Sequence, residues 1–286
     1  MAIWWVIGAV AATAGASYVG AKAAQRAVRR ARDDHKQRPA LWNRFYALDW
    51  GETATNNYGF SPAESDHPQR FQHQMYRELL KRLVAKRPIS PGIRLLEVSC
   101  GRGGGLKAFL DAAPGLIDAT GLDVAASAIA YCRSNYGESE TLHFVEGSAL
   151  DLPFPDGSFD VVLNVEASND YGDRRRFFGE VARVLKMGGI FLYTDSFWPD
   201  RAEEMKSQLA EAGFEAKFDD ITANVAEACR IDSPRRRELI RSRAPLAGRI
   251  VFRRQLENYA GIEGSKKYRA FAEGRRPYLM TAAVKR

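Results

Sequence analysis

From residue 92 onward the hydrophobic pattern alternates between two periods. Short, nearly continuous apolar runs at Ile93 to Val98, Leu116 to Asp123, Leu142 to Glu146, Phe159 to Asn164 and Ile190 to Asp195 predict buried strands. Between them, Leu106 to Ala113, Ala125 to Tyr136 and Arg174 to Leu185 carry apolar residues at helical spacing, the last stopped by Gly188-Gly189. A further helix is predicted over 200–212, a strand over Phe214 to Ile221, and a final strand over Tyr278 to Lys285. Strands alternating with helices predict an α/β fold, a doubly wound, mostly parallel sheet of seven strands with helices on both faces. Such sheets take ligands at the carboxyl ends of the strands, at the topological switch point. Two segments stand outside this alternation. Residues 45–90 are aromatic first and then helical from Gln69 to Lys86, an N-terminal cap segment. Residues 222–275, helical and rich in arginine, are too long for a plain loop and read as an inserted cap or lid. The core is then 91–221 plus the last strand, 276–286.

The chain's first 44 residues have a different pattern. Ile3 to Ala21 is a run of 19 residues without a charge, with Trp4 and Trp5 at one end. At ~1.5 Å per residue it just reaches across a ~30 Å hydrocarbon core. Residues 22–44 follow with eight basic groups against Asp33 and Asp34, so most of the +7 net charge sits beside the uncharged run. Residues 1–21 are therefore expected to be a membrane anchor helix and 22–44 a basic juxtamembrane linker. The positive-inside rule puts the catalytic body in the cytoplasm. Ala12, Ala16 and Gly20 form a small-residue ridge that allows helix pairing, hence a homodimer. A helix lying on the membrane surface is the alternative, and a cleaved signal peptide lacks its basic n-region. Without this cluster the chain is near neutral, which argues against a nucleic-acid partner. Apolar residues at 45% and charged residues at 27% exclude a disordered or collagen-like chain. Cys100, Cys132 and Cys229 have no metal-type spacing, and their odd number fits a reducing compartment.

The candidate chemistry begins at Glu97-Val98-Ser99-Cys100-Gly101-Arg102-Gly103-Gly104-Gly105, which follows the first strand and opens a helix. Glycines there let a ligand approach the backbone closely. Asp123 closes the second strand, where a carboxylate can accept from both hydroxyls of a ribose. The pair indicates a nucleoside-containing ligand. The frame ExxxGxG differs from the dinucleotide GxGxxG, and the acid that ends the strand suits an amino-bearing ligand better than a phosphate.

These residues resemble the first motif and ribose acid of class I S-adenosylmethionine-dependent methyltransferases. Gly147-Ser148-Ala149, Leu152-Pro153-Phe154 with Phe159-Asp160-Val161-Val162, and Leu185-Lys186-Met187-Gly188-Gly189 are similar to that family's later motifs. Val98 to Gly105, Tyr58-Gly59-Phe60 and Asn164-Val165-Glu166-Ala167-Ser168-Asn169 resemble the phthiotriol dimycocerosate-type lipid and polyketide O-methyltransferases. The resemblance implies S-adenosylmethionine as cofactor, no metal, and cofactor contacts from Tyr58, Glu97, Ser99, Gly101, Gly103, Asp123, Val124, Ser148, Ala149 and Asn164. It implies methylation of a hydrophobic small molecule, oxygen being the favoured acceptor. Carbon on a sterol, isoprenoid or quinone ring, or a non-catalytic cofactor-binding scaffold, are the alternatives. Three positions depart from the pattern. Ser99 replaces a glycine, Ser148 an adenine-binding Asp, and Asn169 a His that would be the natural base for a hydroxyl nucleophile. Glu166, Asp170 and Asp195 are the candidate acids, the first two ranked ahead because they flank Asn169. Asp170 as a cap for the helix starting near Asp173 is the structural alternative. Trp42, Phe45, Tyr46 and Trp50 form an aromatic run suited to an apolar pocket or to core packing. His73 is a distant second candidate for the site. Arg230 to Arg254 is a membrane-facing lid or a solvated helix face.

Overall fold

The computed structural model describes residues 38–113, 117–244, 246, 249 and 252–286. The expected anchor, 1–21, and the linker up to 37 lie outside the described residues. Among the described residues no helix is long and apolar enough to cross a membrane.

The strands are β1 (Ile93–Val98), β2 (Ile117–Asp123), β3 (Leu142–Glu146), β4 (Phe159–Val165), β5 (Leu185–Ser196), β6 (Phe214–Glu215), β7 (Asp219–Asp220) and β8 (Tyr278–Lys285). They form one sheet in the order β3-β2-β1-β4-β5-β8-β6, with β7 also on β8. β1 to β5 are mutually parallel, and β8 runs antiparallel to β5. The sheet thus has eight strands where the pattern predicts seven. The extra one comes from the segment predicted as a single strand over Phe214 to Ile221, which pairs with β8 at both ends and not in the middle. Phe214↔Lys285 and Asp219↔Met280 belong to one register, and the Thr281 hydroxyl donates to the Lys217 carbonyl between them.

Both faces of the sheet are covered, which is why the strands read as apolar runs rather than alternating ones. Leu95, Val161 and Leu192 point into one cluster with Met75, Leu79, Leu106 and Phe109. Their chain neighbours Leu96, Val162 and Phe191 point into the other with Phe177, Phe178, Val181 and Leu209. Each fully buried side chain of this size is worth ~1.5–3 kcal/mol. The first face carries α2 (Arg70–Lys86), α3 (Gly104–Asp111) and α4 (Ala126–Tyr136); the second carries α5 (Arg174–Val184) and α6 (Pro199–Glu211). Asp173 caps α5 by accepting from the Arg176 amide at 2.9 Å, so Asp170 is not the cap; it lies in a separate turn, Ser168–Asp170.

A third cluster builds the roof over the carboxyl ends of the strands. Here α1 (Arg38–Tyr46) supplies Phe45, the following loop Trp50, α7 (Thr222–Arg243) Ile240 and, just past its end, Ala244, and α8 (Arg253–Tyr259) Leu256 and Tyr259. The last helix, α9 (Lys266–Ala272), leads into β8. The arginines of α7 are only partly a solvated face. Arg230 and Arg241 pair with Glu227 and Glu238 at the surface, while Arg235 and Arg236 turn inward onto Asp232.

Candidate active site

β1 is the switch point, pairing with β2 on one side and β4 on the other. Immediately after each of these neighbouring strands a residue with a side chain sits in the left-handed region: Ser99 after β1 at φ 61° and Glu166 after β4 at φ 53°. Such conformations cost ~1–3 kcal/mol each and persist where surrounding structure holds them. Two cavities open there.

The cavity over the glycine loop, about 1040 Å³, is lined by Ser99, Gly101, Gly105, Asp123, Val124, Ser148 and Ala149, with Tyr46, Tyr76, Glu166, Asp170 and Tyr171 completing its walls. Asp123 ends β2 and is 4% exposed. One of its oxygens accepts from the Gly101 amide and the other from the Ala125 amide, each at 2.9 Å. Burial raises its carboxyl to about 6 against those hydrogen bonds. Gly101, at φ +55°, has no room for a side chain: a Cβ would stand 2.7 Å from the Tyr46 hydroxyl. At Gly105 a Cβ would fall 1.9 Å from Tyr76 Cζ. The Ser99 hydroxyl is 2.6 Å from that of Tyr171. The Ser148 hydroxyl accepts from its own turn, at the Leu150 amide, 3.1 Å.

Four of the expected cofactor residues, Tyr58, Glu97, Gly103 and Asn164, do not line this cavity. Gly103 is turned inward at φ +72°, where a Cβ would meet Cys132 Sγ at 2.9 Å; it shapes the loop from behind. Asn164 lies beneath the loop, donating to the Val98 carbonyl and the Tyr171 hydroxyl, each at 2.9 Å. Glu97 is 1% exposed behind Tyr76, whose hydroxyl donates to one oxygen at 2.8 Å, while the other oxygen has no partner. Burial lifts Glu97 to about 8, opposed by the Tyr76 hydrogen bond and by the Leu106 backbone amide, with Asp123 adding to the rise. An orphaned buried carboxylate oxygen, two glycines with no space for a Cβ and an acid at the end of β2 fit a nucleoside that carries an amino group.

The second cavity, about 1120 Å³, lies under the roof. Trp42, Phe45, Trp50, Leu239 and Ile240 give it apolar walls; Asn169, Asp195, Lys267 and Arg276 give it polar ones. Tyr58 belongs here and not, as the resemblance implies, to the cofactor cavity. Its hydroxyl donates to the Tyr259 carbonyl at 2.7 Å and accepts from Lys267. Glu166, Tyr46, Asn56 and Arg102 line both cavities, so the two adjoin. Glu166 Oε1 accepts from the Tyr58 amide at 2.6 Å and from the Tyr278 hydroxyl. Burial raises its carboxyl to about 8, opposed by those two hydrogen bonds. Asp170 faces the glycine-loop cavity and is raised by burial to about 6. Asn169 cannot carry a proton; its side-chain amide donates to Asp195 at 2.6 Å and to the Ser196 carbonyl at 2.9 Å. Asp195 also accepts from the Ser168 hydroxyl at 3.0 Å and the Ser196 amide at 2.7 Å. His73 stacks on His67 at 4.3 Å and is pulled down to about 4 by burial and that neighbour. Neither cavity has a histidine among its described lining residues.

Arg102 joins the two regions. It is 8% exposed, lies 4.0 Å from the Tyr131 ring centre, and donates from the glycine loop to the carbonyls of Leu48 at 3.3 Å and Thr53 at 3.1 Å. Tyr76, Gly105, Lys267 and Arg276 were not among the expected site residues. Tyr76 is hidden in the apolar face of α2, and Lys267 and Arg276 sit in a cap whose sequence gives no motif.

The family model for a methyltransferase domain matches residues 96–193. Over 202 residues, 70% of this chain and 74% of the relative, the chain is 38% identical to a probable phthiotriol/phenolphthiotriol dimycocerosates methyltransferase 2 of Mycobacterium ulcerans. It is 40% identical over 165 residues, 58% of each protein, to a fatty-acid O-methyltransferase of Mycolicibacterium smegmatis. A putative sarcosine dimethylglycine methyltransferase from Galdieria sulphuraria shares the fold at 17% identity, with a TM-score of 0.66 over 85% of this chain and 98% of that one. The glycine loop, the acid that ends β2 and these likenesses agree: the chain belongs to the class I S-adenosylmethionine-dependent methyltransferases, in the group of the phthiotriol dimycocerosates lipid methyltransferases.

Proposed function

We propose that this methyltransferase transfers a methyl group to an oxygen of a long, apolar, lipid-like acceptor. The observation that carries the reading is the adjoining pair of cavities, one lined by the glycine loop and Asp123, the other walled by Trp42, Phe45, Trp50, Leu239 and Ile240, with Glu166 in the wall of both. Named relatives that act on phthiotriol dimycocerosates and on fatty acids support a lipid acceptor. S-adenosylmethionine supplies a methyl group already activated on a sulfonium, so positioning contributes much of the rate. Asp123 would hold the ribose hydroxyls, and Glu97, through its unpartnered oxygen, the amino group. The backbone at Ser148 and Ala149 would meet the adenine, because the Ser148 hydroxyl is occupied by its own turn. Ser99 and Gly101 shape the cradle; Gly103 and Asn164 support it from behind. Glu166, Asn169 and Asp170 face the junction, where Glu166 and Asp170 are the groups able to hold or move a proton. The roof excludes water from the meeting point. Residues 3–21 and the basic residues 22–38 would keep the body at the membrane, where such an acceptor partitions.

The test is to incubate the full chain with methyl-labelled S-adenosylmethionine and a total lipid extract, then identify the labelled product. A methyl ether or ester of a lipid is the expected result. Label on carbon would replace oxygen with the ring or isoprenoid reading. Cofactor binding with no labelled lipid would leave the scaffold reading.

A further inference from the structure

Two cations stand in the wall of the second cavity without a carboxylate. Lys267, the second residue of α9, donates Nζ to the Tyr58 hydroxyl and lies 4.9 Å and 5.6 Å from the ring centres of Tyr58 and Tyr259. Arg276, ahead of β8, donates to the hydroxyl and the carbonyl of Ser196, each at 3.1 Å, with its guanidinium 5.8 Å from the Trp198 ring. Among the described residues neither forms an ion pair. Arg235 and Arg236 in the same wall differ, because both pair with Asp232, at 2.6 and 2.9 Å. Glu166 and Asp170 act on Lys267, and Asp195 on Arg276, through Coulombic attraction without an ion-pair contact. The hydrogen bonds of Asp195 go to Ser168, Asn169 and Ser196, and those of Glu166 to Tyr58 and Tyr278. Both are half-buried, and a charge partly withdrawn from water without an ion-pair partner is stabilised when an anion is brought to it.

We propose that the acceptor is a long-chain carboxylate, its head held by Lys267 and Arg276 and its tail by the aromatic wall. This rests on the O-methylation reading and names its substrate class. The chemistry balances without a base. A carboxylate oxygen forms the bond to the methyl carbon as the carbon–sulfur bond breaks. An anion and a sulfonium enter, a neutral ester and a neutral thioether leave, and no proton is released. An alcohol acceptor would release a proton, which would have to go to Glu166, already mostly protonated at pH 7, or to Asp170 across the junction. Glu166, held near 8, is mostly neutral at pH 7 and does not repel an incoming carboxylate.

The experiment compares dodecanoate with dodecanol, first by calorimetric binding to the cofactor-free protein, then as acceptors with labelled S-adenosylmethionine. Dodecanoate should bind at least about tenfold more tightly and yield its methyl ester, with little ether from dodecanol. Lys267→Gln and Arg276→Gln should each weaken dodecanoate binding and raise KM about tenfold or more. Both should bind S-adenosylhomocysteine as the unaltered protein does, which also reports folding. Burial, with Arg276 beside it, pulls the Lys267 ammonium down to about 8. Dodecanoate binding should therefore weaken as pH rises through 8, where Glu166 also ionises, and Lys267→Arg should reduce that loss to the part due to Glu166. Preferential methylation of dodecanol overturns the inference and leaves the O-methylation reading standing. Ester formation unaffected by both glutamine variants overturns the cation anchor. If neither compound is bound or methylated while another lipid in the extract takes the label, the inference falls alone. If no lipid takes it, both readings fall.

Discussion

Cofactor binding should release a proton at neutral pH. Glu97 is held near 8 in the free protein because it is buried, with one oxygen on the Tyr76 hydroxyl and the other on nothing. At pH 7 a carboxyl with that pKa is roughly nine-tenths protonated. An ammonium beside the orphaned oxygen favours the ionised form. Lowering Glu97 by about two pH units would take about 2.7 kcal/mol of differential interaction. The proton must leave as the ligand arrives, so roughly 0.8 proton is released per site at pH 7, and affinity rises about fivefold per pH unit between about 6 and 8. Asp123, held near 6, adds only a small release at pH 7 and a larger one below it. Calorimetric titrations with S-adenosylhomocysteine in phosphate and in Tris, whose protonation enthalpies differ, read the proton count directly. Glu97→Gln should abolish most of the release and flatten the pH dependence above 6. Heats independent of buffer, together with an affinity flat from pH 6 to 8, would falsify the assignment of Glu97 to the amino group.

Two substitutions test the rest of the cradle. Asp123→Ala removes the acceptor of the Gly101 and Ala125 amides as well as the ribose contact, so S-adenosylhomocysteine affinity should fall about tenfold or more, with a lower unfolding midpoint; unchanged affinity in a folded protein removes Asp123 from the site. Gly105→Ala places a methyl 1.9 Å from Tyr76 Cζ and should force Tyr76 off Glu97, costing ~1–3 kcal/mol in thermal unfolding and weakening the cofactor. A melting curve like that of the unaltered protein would refute the crowding.

The parallel core was legible because its strands are buried on both faces, and a run such as Phe159-Asp160-Val161-Val162-Leu163 has few other folds. The break between β6 and β7 was not, since Phe214, Phe218 and Ile221 keep a strand-like pattern while the ladder is lost between them. At the site, Asp123 and Gly101 were readable from their position after strands. Gly103 was misread because the same loop motif turns one glycine toward the ligand side and the next toward Cys132. Tyr58 was assigned to the cofactor by resemblance, yet its hydroxyl is on Lys267 and Tyr259, some 200 residues away, a closure that no local pattern encodes.

Arg102 makes the occupancy of one cavity a matter for the other. Its backbone belongs to the glycine loop, while its guanidinium grips the carbonyls of Leu48 and Thr53 on either side of Trp50, which walls the second cavity. A ligand that stiffens the loop stiffens this strap, so the second ligand meets a wall already ordered. Linkage makes the effect symmetrical: whatever factor the nucleoside adds to the affinity for the acceptor, the acceptor adds to the affinity for the nucleoside. Methyl transfer removes the positive charge of one ligand and the negative charge of a carboxylate partner, so the mutual attraction that favours a filled pair is weakened in the products, and their departure is eased.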